Sequence, residues 1–353
     1  MVETKRLGDI ATYINGYAFK PDDWCEEGLP IIRIQDLTGT SYQQNYYKGD
    51  YPAKIEINDG DVLISWSASL GVHIWNRGKA LLNQHIFKVV FDKVEVDKQY
   101  FVYAVQYNLE NMLSKMHGAT MKHIVKKDFD NIEVPFPTLA EQKRVASILT
   151  YAKDAIEDRK QQLAKLDNLV KSRFVEMFGD PKYNKSNLVK VGEIGVLTSG
   201  GTPTRAKLEY FEGSIRWYSA GELNSLYLPD SLEHISETAL QQSSAKLFNK
   251  GTLMIGMYDT AALKMGILTE DSSSNQACAN LNPKQGYNVV WLYYLFDIMK
   301  PIFLQERQGV RQKNLSLSKI KNFEVPFAPF TLQNEFADFV AQIDKLKVSV
   351  SWI

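Results

Sequence analysis

The sequence predicts an α+β protein in which two repeated globular domains are joined by two long helices that pair as an antiparallel coiled coil. Two observations support this fold class. An amphipathic stretch near the middle of the chain runs for about forty residues without Pro or Gly, and the order of motifs before it is repeated after it. The predicted boundaries are a first domain at 1–137, a spacer helix at 138–179, a second domain at 180–329 and a shorter helix at 330–353.

The central helix has both a start signal and a stop signal. Thr138 and Glu141 have the spacing of a capping box, and Gly179 provides the stop. Apolar residues between them recur in alternating steps of three and four, which places them on one face of a helix. A helix of about 60 Å with one apolar face requires a partner helix. The residues expected at that interface are Ile148, Ala152, Ile156, Leu163, Leu166, Val170 and Phe174.

The partner helix is predicted from an internal repeat. Residues 118–158 align without a gap on residues 309–349, which is a shift of 191 positions. A duplication of this kind predicts two helices that run antiparallel with one globular domain at each end. The second helix should contribute Phe336, Phe339 (or Val340), Ile343 and Leu346 to the interface.

The second predicted helix is the shorter one, with about 22 residues that cover about 33 Å. It should lie beside the end of the first helix and leave residues 145–160 without a partner. Two interpretations stay open: this face packs on the first domain, or a second copy of the chain or another subunit covers it.

Short strands and one helix are predicted in each globular domain. The first domain should contain strands at 29–34, 62–66, 72–75, 86–91 and 132–134, a helix that begins at Asp97 and a polar loop at 117–127. The second should contain strands at 215–218 and 252–257. Its helix should begin near Asn288, and Pro301 should kink or end that helix.

Composition indicates a soluble, cytoplasmic protein without a membrane partner. The chain has 353 residues, 44% hydrophobic and 23% charged, with a formal net charge of zero. No apolar run reaches membrane-spanning length, and the two cysteines lack the spacing of metal ligands. No phosphate loop, zinc-protease motif or nucleophile elbow occurs, and the five histidines show no ligand spacing. The sequence therefore predicts a non-enzyme with no metal and no cofactor of its own.

Polar loops at equivalent places in the two domains indicate a nucleic-acid partner. Their Lys, Arg, His and Asn side chains suit phosphates and base edges, and a repeated pair on a fixed spacer suits duplex DNA. A plain solvated loop is the alternative. The candidates are Lys122, His123, Lys126 and Lys127 in the first domain, with Arg307, Arg311, Lys313 and Asn314 in the second.

If the two domains have different targets, residues that differ between the two repeats are the better candidates for reading bases, because identical residues cannot discriminate between targets. The candidates are Trp66, Ser67, Ser69 and His73 in the first domain, and Tyr218, Tyr258, Asp259 and Thr260 in the second. Asn83-Gln84 and Asn275-Gln276 are the same in both, so an architectural role is expected for them.

The chain resembles the DNA-specificity subunit of Type I restriction–modification complexes. The resemblance rests on the repeated motifs at 7–10 and 191–194, at 60–64 and 251–255, on the two Asn-Gln pairs, and on 132–142. It implies two target-recognition domains that each read half of a bipartite DNA target, and helices that dock modification subunits, two of them by expectation. S-adenosylmethionine, ATP and Mg would then belong to partner subunits, and restriction subunits would associate indirectly. An adaptor that binds only proteins is the alternative function.

Overall fold

The computed structural model describes residues 3–67, 69–115, 126–308 and 314–351. The chain divides into two units, Met1–Ile156 (unit 1) and Glu157–Ile353 (unit 2), and the boundary falls inside the long central helix.

Unit 1 contains two four-stranded sheets and one two-stranded pair. Its strands are β1 (Thr4–Arg6), β2 (Thr12–Asn15), β3 (Leu29–Ile32), β4 (Asn45–Tyr47), β5 (Glu56–Ile57), β6 (Val62–Ser65), β7 (Gly71–Ile74), β8 (Ala80–Leu82), β9 (Ile86–Val90) and β10 (Glu133–Pro135). The sheet orders are β2-β9-β6-β7, β4-β3-β8-β5 and β1-β10. Its helices are α1 (Leu7–Ile10), α2 (Ile34–Thr38), α3 (Lys98–Lys115), α4 (Lys126–Asp130) and the start of α5 (Leu139–Phe178).

Unit 2 has a similar arrangement, with one four-stranded sheet, one three-stranded sheet and one two-stranded pair. Its strands are β11 (Leu188–Lys190), β12 (Gly195–Ser199), β13 (Ile215–Tyr218), β14 (Glu233–Ile235), β15 (Leu253–Gly256), β16 (Met265–Ile267), β17 (Ser273–Ser274), β18 (Cys278–Pro283) and β19 (Glu324–Pro326). The sheet orders are β12-β18-β15-β16, β14-β13-β17 and β11-β19. Its helices are α6 (Val191–Ile194), α7 (Glu237–Gln242), α8 (Val289–Phe303), α9 (Leu317–Asn322) and α10 (Phe330–Ser351).

A central strand with apolar residues on both faces organises each unit. In β6 every residue is buried, and alternate side chains enter different cores: Val62 and Ile64 pack with Leu7 and Phe101, whereas Leu63 packs on the other side. The period of two residues along a strand explains this division. Strand β15 does the same in unit 2.

The repeat extends to individual hydrogen bonds. Gln142 accepts a hydrogen bond from the backbone N–H of Asp97 at 2.9 Å, and Gln333 accepts one from the N–H of Asn288 at 2.8 Å. Each glutamine also donates to a carbonyl just before its own helix. Both side chains are buried, so α5 is fixed at its start to the N-terminus of α3, and α10 is fixed at its start to the N-terminus of α8.

Helix α5 spans 40 residues, as the sequence predicts. The capping box forms, with Thr138 N–H donating to Glu141 at 3.0 Å and Glu141 N–H donating to the Thr138 hydroxyl at 3.4 Å. The Thr138 hydroxyl also donates to the Glu141 carboxylate at 2.7 Å, and this hydrogen bond, together with the one from the Thr138 N–H, lowers the pKa of Glu141. Gly179 ends the helix with φ of +75°, in the left-handed region that favours glycine.

The C-terminal half of α5 packs antiparallel to α10 within unit 2. Phe174 meets the Phe336 ring edge-on at 5.2 Å near the start of α10, and Lys347 pairs with Asp167 at 2.8 Å near its end. Successive residues along α10 therefore contact progressively earlier residues of α5, which confirms that the two helices run antiparallel.

Most of the predicted interface in unit 2 is buried. Val170, Phe174, Phe336 and Ile343 are buried, and Leu163, Leu166 and Phe339 are partly buried. The prediction is wrong for Leu346, which is 52% exposed because the neighbouring Lys347 makes the contact to α5 through its ion pair.

The N-terminal half of α5 packs on unit 1 through a different face. Gln142 and Ala146 are buried, and Thr150 hydrogen-bonds the hydroxyl of Tyr103 on α3 at 3.0 Å. Ile148 and Ile156 stay 57% and 58% exposed, and Ala152 between them is exposed as well. The predicted apolar face with Ile148, Ala152 and Ile156 is therefore not the face of α5 that packs on the rest of unit 1.

Two local predictions need correction. Lys126 and Lys127 begin helix α4 and are not in a loop, since Phe129 on that helix is fully buried against the core. Helix α8 continues to Phe303, two residues past Pro301, because Phe303 is buried and stacks on Phe323 at 4.0 Å.

In the part of the chain that the structure covers, no helix is long and apolar enough to cross a membrane.

Candidate nucleic-acid interface

One end of the central sheet of unit 1 gathers three loops. Strands β2 and β6 finish at this end, and β7 and β9 start there. The register pairs that define it are Asn15–Phe87, Ser65–Ile86 and Ser65–Gly71. The strand-end loops of unit 1 are residues 16–19, 66–67 with 69–70, and 83–85. Antiparallel pairing thus brings residues that are far apart in sequence to one surface.

The predicted base-reading residues of unit 1 differ in exposure. Ser69 is exposed and Ser67 is partly buried. The Trp66 ring stacks on Phe87 with centroids 5.5 Å apart, and its indole N–H is buried without a partner among the described residues. His73 lies on β7, and burial together with the nearby Arg77 guanidinium lowers its pKa, so its imidazole is neutral at pH 7.

Unit 2 gathers loops at the equivalent end of its central sheet. Strands β12 and β15 finish there, and β16 and β18 start there. The register pairs are Ser199–Ala279, Gly256–Cys278 and Ile255–Met265. The strand-end loops of unit 2 are residues 200–204, 257–264 and 275–277.

Four predicted residues of unit 2 meet on this surface. Tyr258, Asp259 and Thr260 are exposed in one strand-end loop. The Asp259 backbone N–H donates to the side-chain oxygen of Asn314 at 2.9 Å, so the later polar loop returns to the same place. Asp259 has φ of +46°, a conformation that Asp tolerates better than most residues.

The remaining basic candidates are only partly described. Lys126 and Lys127 are both exposed, and Lys126 pairs with Asp130 at 2.9 Å. Arg307 is partly buried and donates through Nε to the Leu304 carbonyl at 3.0 Å. The candidates that lie outside the described residues are Lys122, His123, Arg311 and Lys313.

The prediction for Tyr218 is wrong. Its side chain is 1% exposed in a core with Met254 and Leu268, and its hydroxyl donates to the Pro229 carbonyl at 2.6 Å. Only its carbonyl reaches the strand-end surface, where it accepts from the Asn275 N–H at 2.9 Å. Sequence alone did not reveal which face of β13 is buried.

The two Asn-Gln pairs are architectural only in part. The Asn83 side chain accepts from the next backbone N–H at 2.9 Å, and the Asn275 side chain accepts from the N–H of Ala277 at 3.0 Å. Both asparagines thus shape the turn before a strand. Gln84 and Gln276 are exposed instead, which corrects the architectural interpretation for them.

Reactive groups are scarce on the strand-end surfaces. Among the described residues, no cluster of three or more His, Cys, Asp and Glu side chains could hold a metal ion. Cys278 is buried, and burial raises the pKa of its thiol to about 12. The surfaces present hydroxyls, amides, a carboxylate and aromatic rings, which are groups for recognition through hydrogen bonds and stacking.

Two repeated modules with equivalent polar surfaces, joined by the 40-residue helix α5, define a class of duplicated recognition protein. The family of the Type I restriction modification DNA specificity domain matches the chain twice, at residues 1–168 and 183–350. The chain belongs to this family.

Similar proteins agree with that family. The Type I restriction enzyme EcoBI specificity subunit of Escherichia coli is 23% identical over 373 residues, which is 96% of this chain and 78% of that protein. The MjaVIII specificity subunit of Methanocaldococcus jannaschii is 26% identical over 199 residues, which is 54% of this chain and 46% of that protein.

The fold is similar to that of two solved structures. One is a crystal structure of a Type I restriction–modification S subunit from M. genitalium, with TM-score 0.59 and 15% identity, covering 99% of this chain and 91% of that one. The other comes from work on complex assembly and conformational transition of a type I system, with TM-score 0.56, 15% identity and coverage of 99% and 92%. Family membership makes the chain a non-catalytic, sequence-recognising DNA-specificity subunit, and nothing in these comparisons favours the adaptor interpretation.

Proposed function

We propose that each unit reads one half of a bipartite DNA target through its strand-end loops, while α5 and α10 set the spacing and dock modification subunits. The observation that carries the proposal is the repeat of one backbone arrangement with different side chains on it. A common frame suits a regular partner such as duplex DNA, and different side chains suit two different half-sites.

The chemistry of the loops supports base reading. Unit 1 presents the hydroxyl of Ser69 and unit 2 presents Tyr258, Asp259 and Thr260 beside Asn314. Carboxylates accept from cytosine amino groups, amides pair with adenine, and hydroxyls serve either role. The two surfaces therefore offer different hydrogen-bonding patterns to the major groove.

The internal repeat also supports a protein partner at α5. In unit 2, Phe339 is partly buried and Ile343 buried, where the C-terminal half of α5 packs on α10. Their equivalents at a shift of 191 positions, Ile148 and Ala152, are exposed in unit 1. The apolar face that they form with Ile156, called the α5 apolar face below, fits a helix of a modification subunit or of a second copy of the chain. In a complex of this composition, S-adenosylmethionine, ATP and Mg would bind the partner subunits in the cytoplasm.

Substitutions in the strand-end loops of each unit test the proposal that these loops read DNA bases. The double substitution D259A and T260A and, separately, S69A would be introduced into the chain assembled with its modification subunits. Binding would be measured on targets with either half-site altered. Each variant should lose discrimination, by roughly 5- to 150-fold for one good base contact, at one half-site and not at the other.

The control is E212A. Glu212 is an exposed acidic residue just before the start of β13, whereas Tyr218, at the other end of that strand, lies near the strand-end loops. It should leave both half-sites unchanged. Discrimination that stays intact in both loop variants, or that falls at both half-sites for each, would contradict the assignment of one half-site to each unit.

A further inference from the structure

A polar cleft opens beside the strand-end loops of unit 2. It has a volume of about 730 Å³ and is open to solvent. Its walls come from the loop after β12, from the turn after α7 and from the turn before β18. The lining residues are Ser199, Gly200, Gly201, Thr202, Ser243, Ser244, Ala245, Lys246 and Gln276. We call it the 199–246 cleft.

The lining carries hydroxyls, one amide and one ammonium group, and no carboxylate. The Lys246 ammonium donates to the Ser199 carbonyl at 3.0 Å, which holds it at the rim and leaves it two further N–H donors. A site with a positive charge and several donors, and without a negative charge, selects an anion.

The amide of Gln276 is oriented by its neighbour. The Thr202 hydroxyl donates to the Gln276 side-chain oxygen, which leaves the amide NH₂ to donate elsewhere. No other described residue accepts a hydrogen bond from it. Gln276 therefore presents two fixed donors on an exposed turn.

The backbone of the cleft is tightly packed. A Cβ at Gly200 would lie 2.2 Å from the Ser274 carbonyl oxygen, and one at Gly201 would lie 1.9 Å from that of Ser244. Only glycine permits this approach, so the loop that carries Thr202 lies directly against the turns at Ser244 and Ser274. A preorganised loop of this kind loses little conformational freedom when a ligand binds.

Unit 1 places a glutamine at the equivalent position. Gln84 lies two residues before β9, as Gln276 lies two residues before β18, and both are exposed. Gly16 supports the turn beside Gln84, since a Cβ there would lie 2.0 Å from the Asn83 carbonyl oxygen. Residues that are identical in both units cannot tell two half-sites apart, but they suit the part of DNA that is the same everywhere.

We propose that the 199–246 cleft binds a phosphodiester of the target DNA through Lys246 and Gln276, and that Gln84 makes the equivalent phosphate contact in unit 1. The inference rests on the proposed function and adds to it a sequence-independent contact that positions the base-reading loops. Neither glutamine was a candidate DNA contact from sequence, because identity between the repeats favoured an architectural role.

The test compares K246A, Q276A and Q84A with the control K250A in the full chain assembled with its modification subunits. Lys250 is exposed at the other end of β15, so its removal changes the charge equally. K246A should reduce the slope of log K against log salt by about 0.9 more than K250A does. Q276A and Q84A should weaken binding roughly tenfold without changing the slope.

The losses should be equal on target and random DNA. A K246A slope equal to that of K250A, or a loss confined to one half-site sequence, would overturn the proposal. Inorganic phosphate would also be added as a competitor at constant ionic strength. If K246A abolishes the competition by phosphate but leaves DNA binding unchanged, the cleft is a site for free anions only, and the proposal is overturned. The proposed function fails separately, if the unsubstituted protein shows no sequence preference.

Discussion

The α5 apolar face should be a binding surface, and replacing it with charge should separate the chain from its partner. The perturbation is I148D with I156D. Both side chains are exposed in the isolated chain, so the substitutions remove no core contact and both units should stay folded. Aspartate at both positions would leave charges under the partner helix.

The magnitude follows from the exposed fractions. Burying a whole Ile side chain contributes about 1.5–3 kcal/mol. Ile148 and Ile156 are 57% and 58% exposed, so covering the exposed part contributes about 0.9–1.7 kcal/mol each. The two together amount to about 1.7–3.4 kcal/mol, which is roughly a 20- to 300-fold change in Kd before the cost of burying charge.

Sedimentation velocity on the chain, alone and mixed with its modification subunit, would measure the effect. Tyr151 gives a matched control, because it is 78% exposed and lies roughly a third of a turn around α5 from the middle of the face. Y151D should bind like the unsubstituted chain. A strictly monomeric chain whose I148D/I156D variant still binds the modification subunit with unchanged Kd would refute the reasoning.

Three further predictions concern stability and salt. F174A should cost about 3–5 kcal/mol in urea unfolding because Phe174 is fully buried, whereas V175A on the exposed neighbour should cost less than about 1 kcal/mol; equal costs would contradict the helix packing. The pKa of His73 is lowered in the folded chain, so the unfolded chain binds the proton first and stability should fall as pH drops below about 6.5. H73Q should flatten this pH dependence of the free energy of unfolding. If H73Q leaves the pH dependence unaltered, His73 is not its source. K127A and R307A should each reduce the salt slope of DNA binding by about 0.9, and slopes that match the unsubstituted chain would leave both as solvated charges.

Sequence periodicity was enough to predict the long helices α3, α5, α8 and α10, because their apolar positions extend over many residues. It also predicted the positions of β6, β9, β13 and β15, whose residues are mostly apolar. It missed short strands such as β4 and β5, since two or three residues carry too little pattern. The β4 strand depends on pairing with β3, and no local feature of its sequence indicates that pairing.

The candidate interface was predictable in its loops but not in its individual side chains. Comparison of the repeats selected Tyr258, Asp259 and Thr260, and the structure places them beside Asn314. The prediction that Tyr218 reads bases was wrong, because the burial of its side chain depends on which residues pack against the sheet. Comparison of the repeats passed over Gln276, because only the fold shows that this identical residue faces solvent beside a cleft.

A loop exchange, followed by mapping of methylated bases in DNA modified by the assembled complex, shows directly whether each unit reads one half-site. Residues 66–70 would be replaced by a loop of different sequence, and β6 and β7 would be left intact. We expect one half of the target to change while the other half and the gap between them stay the same. An unchanged target, or a change in both halves, would contradict the claim that each unit reads one half-site through its strand-end loops.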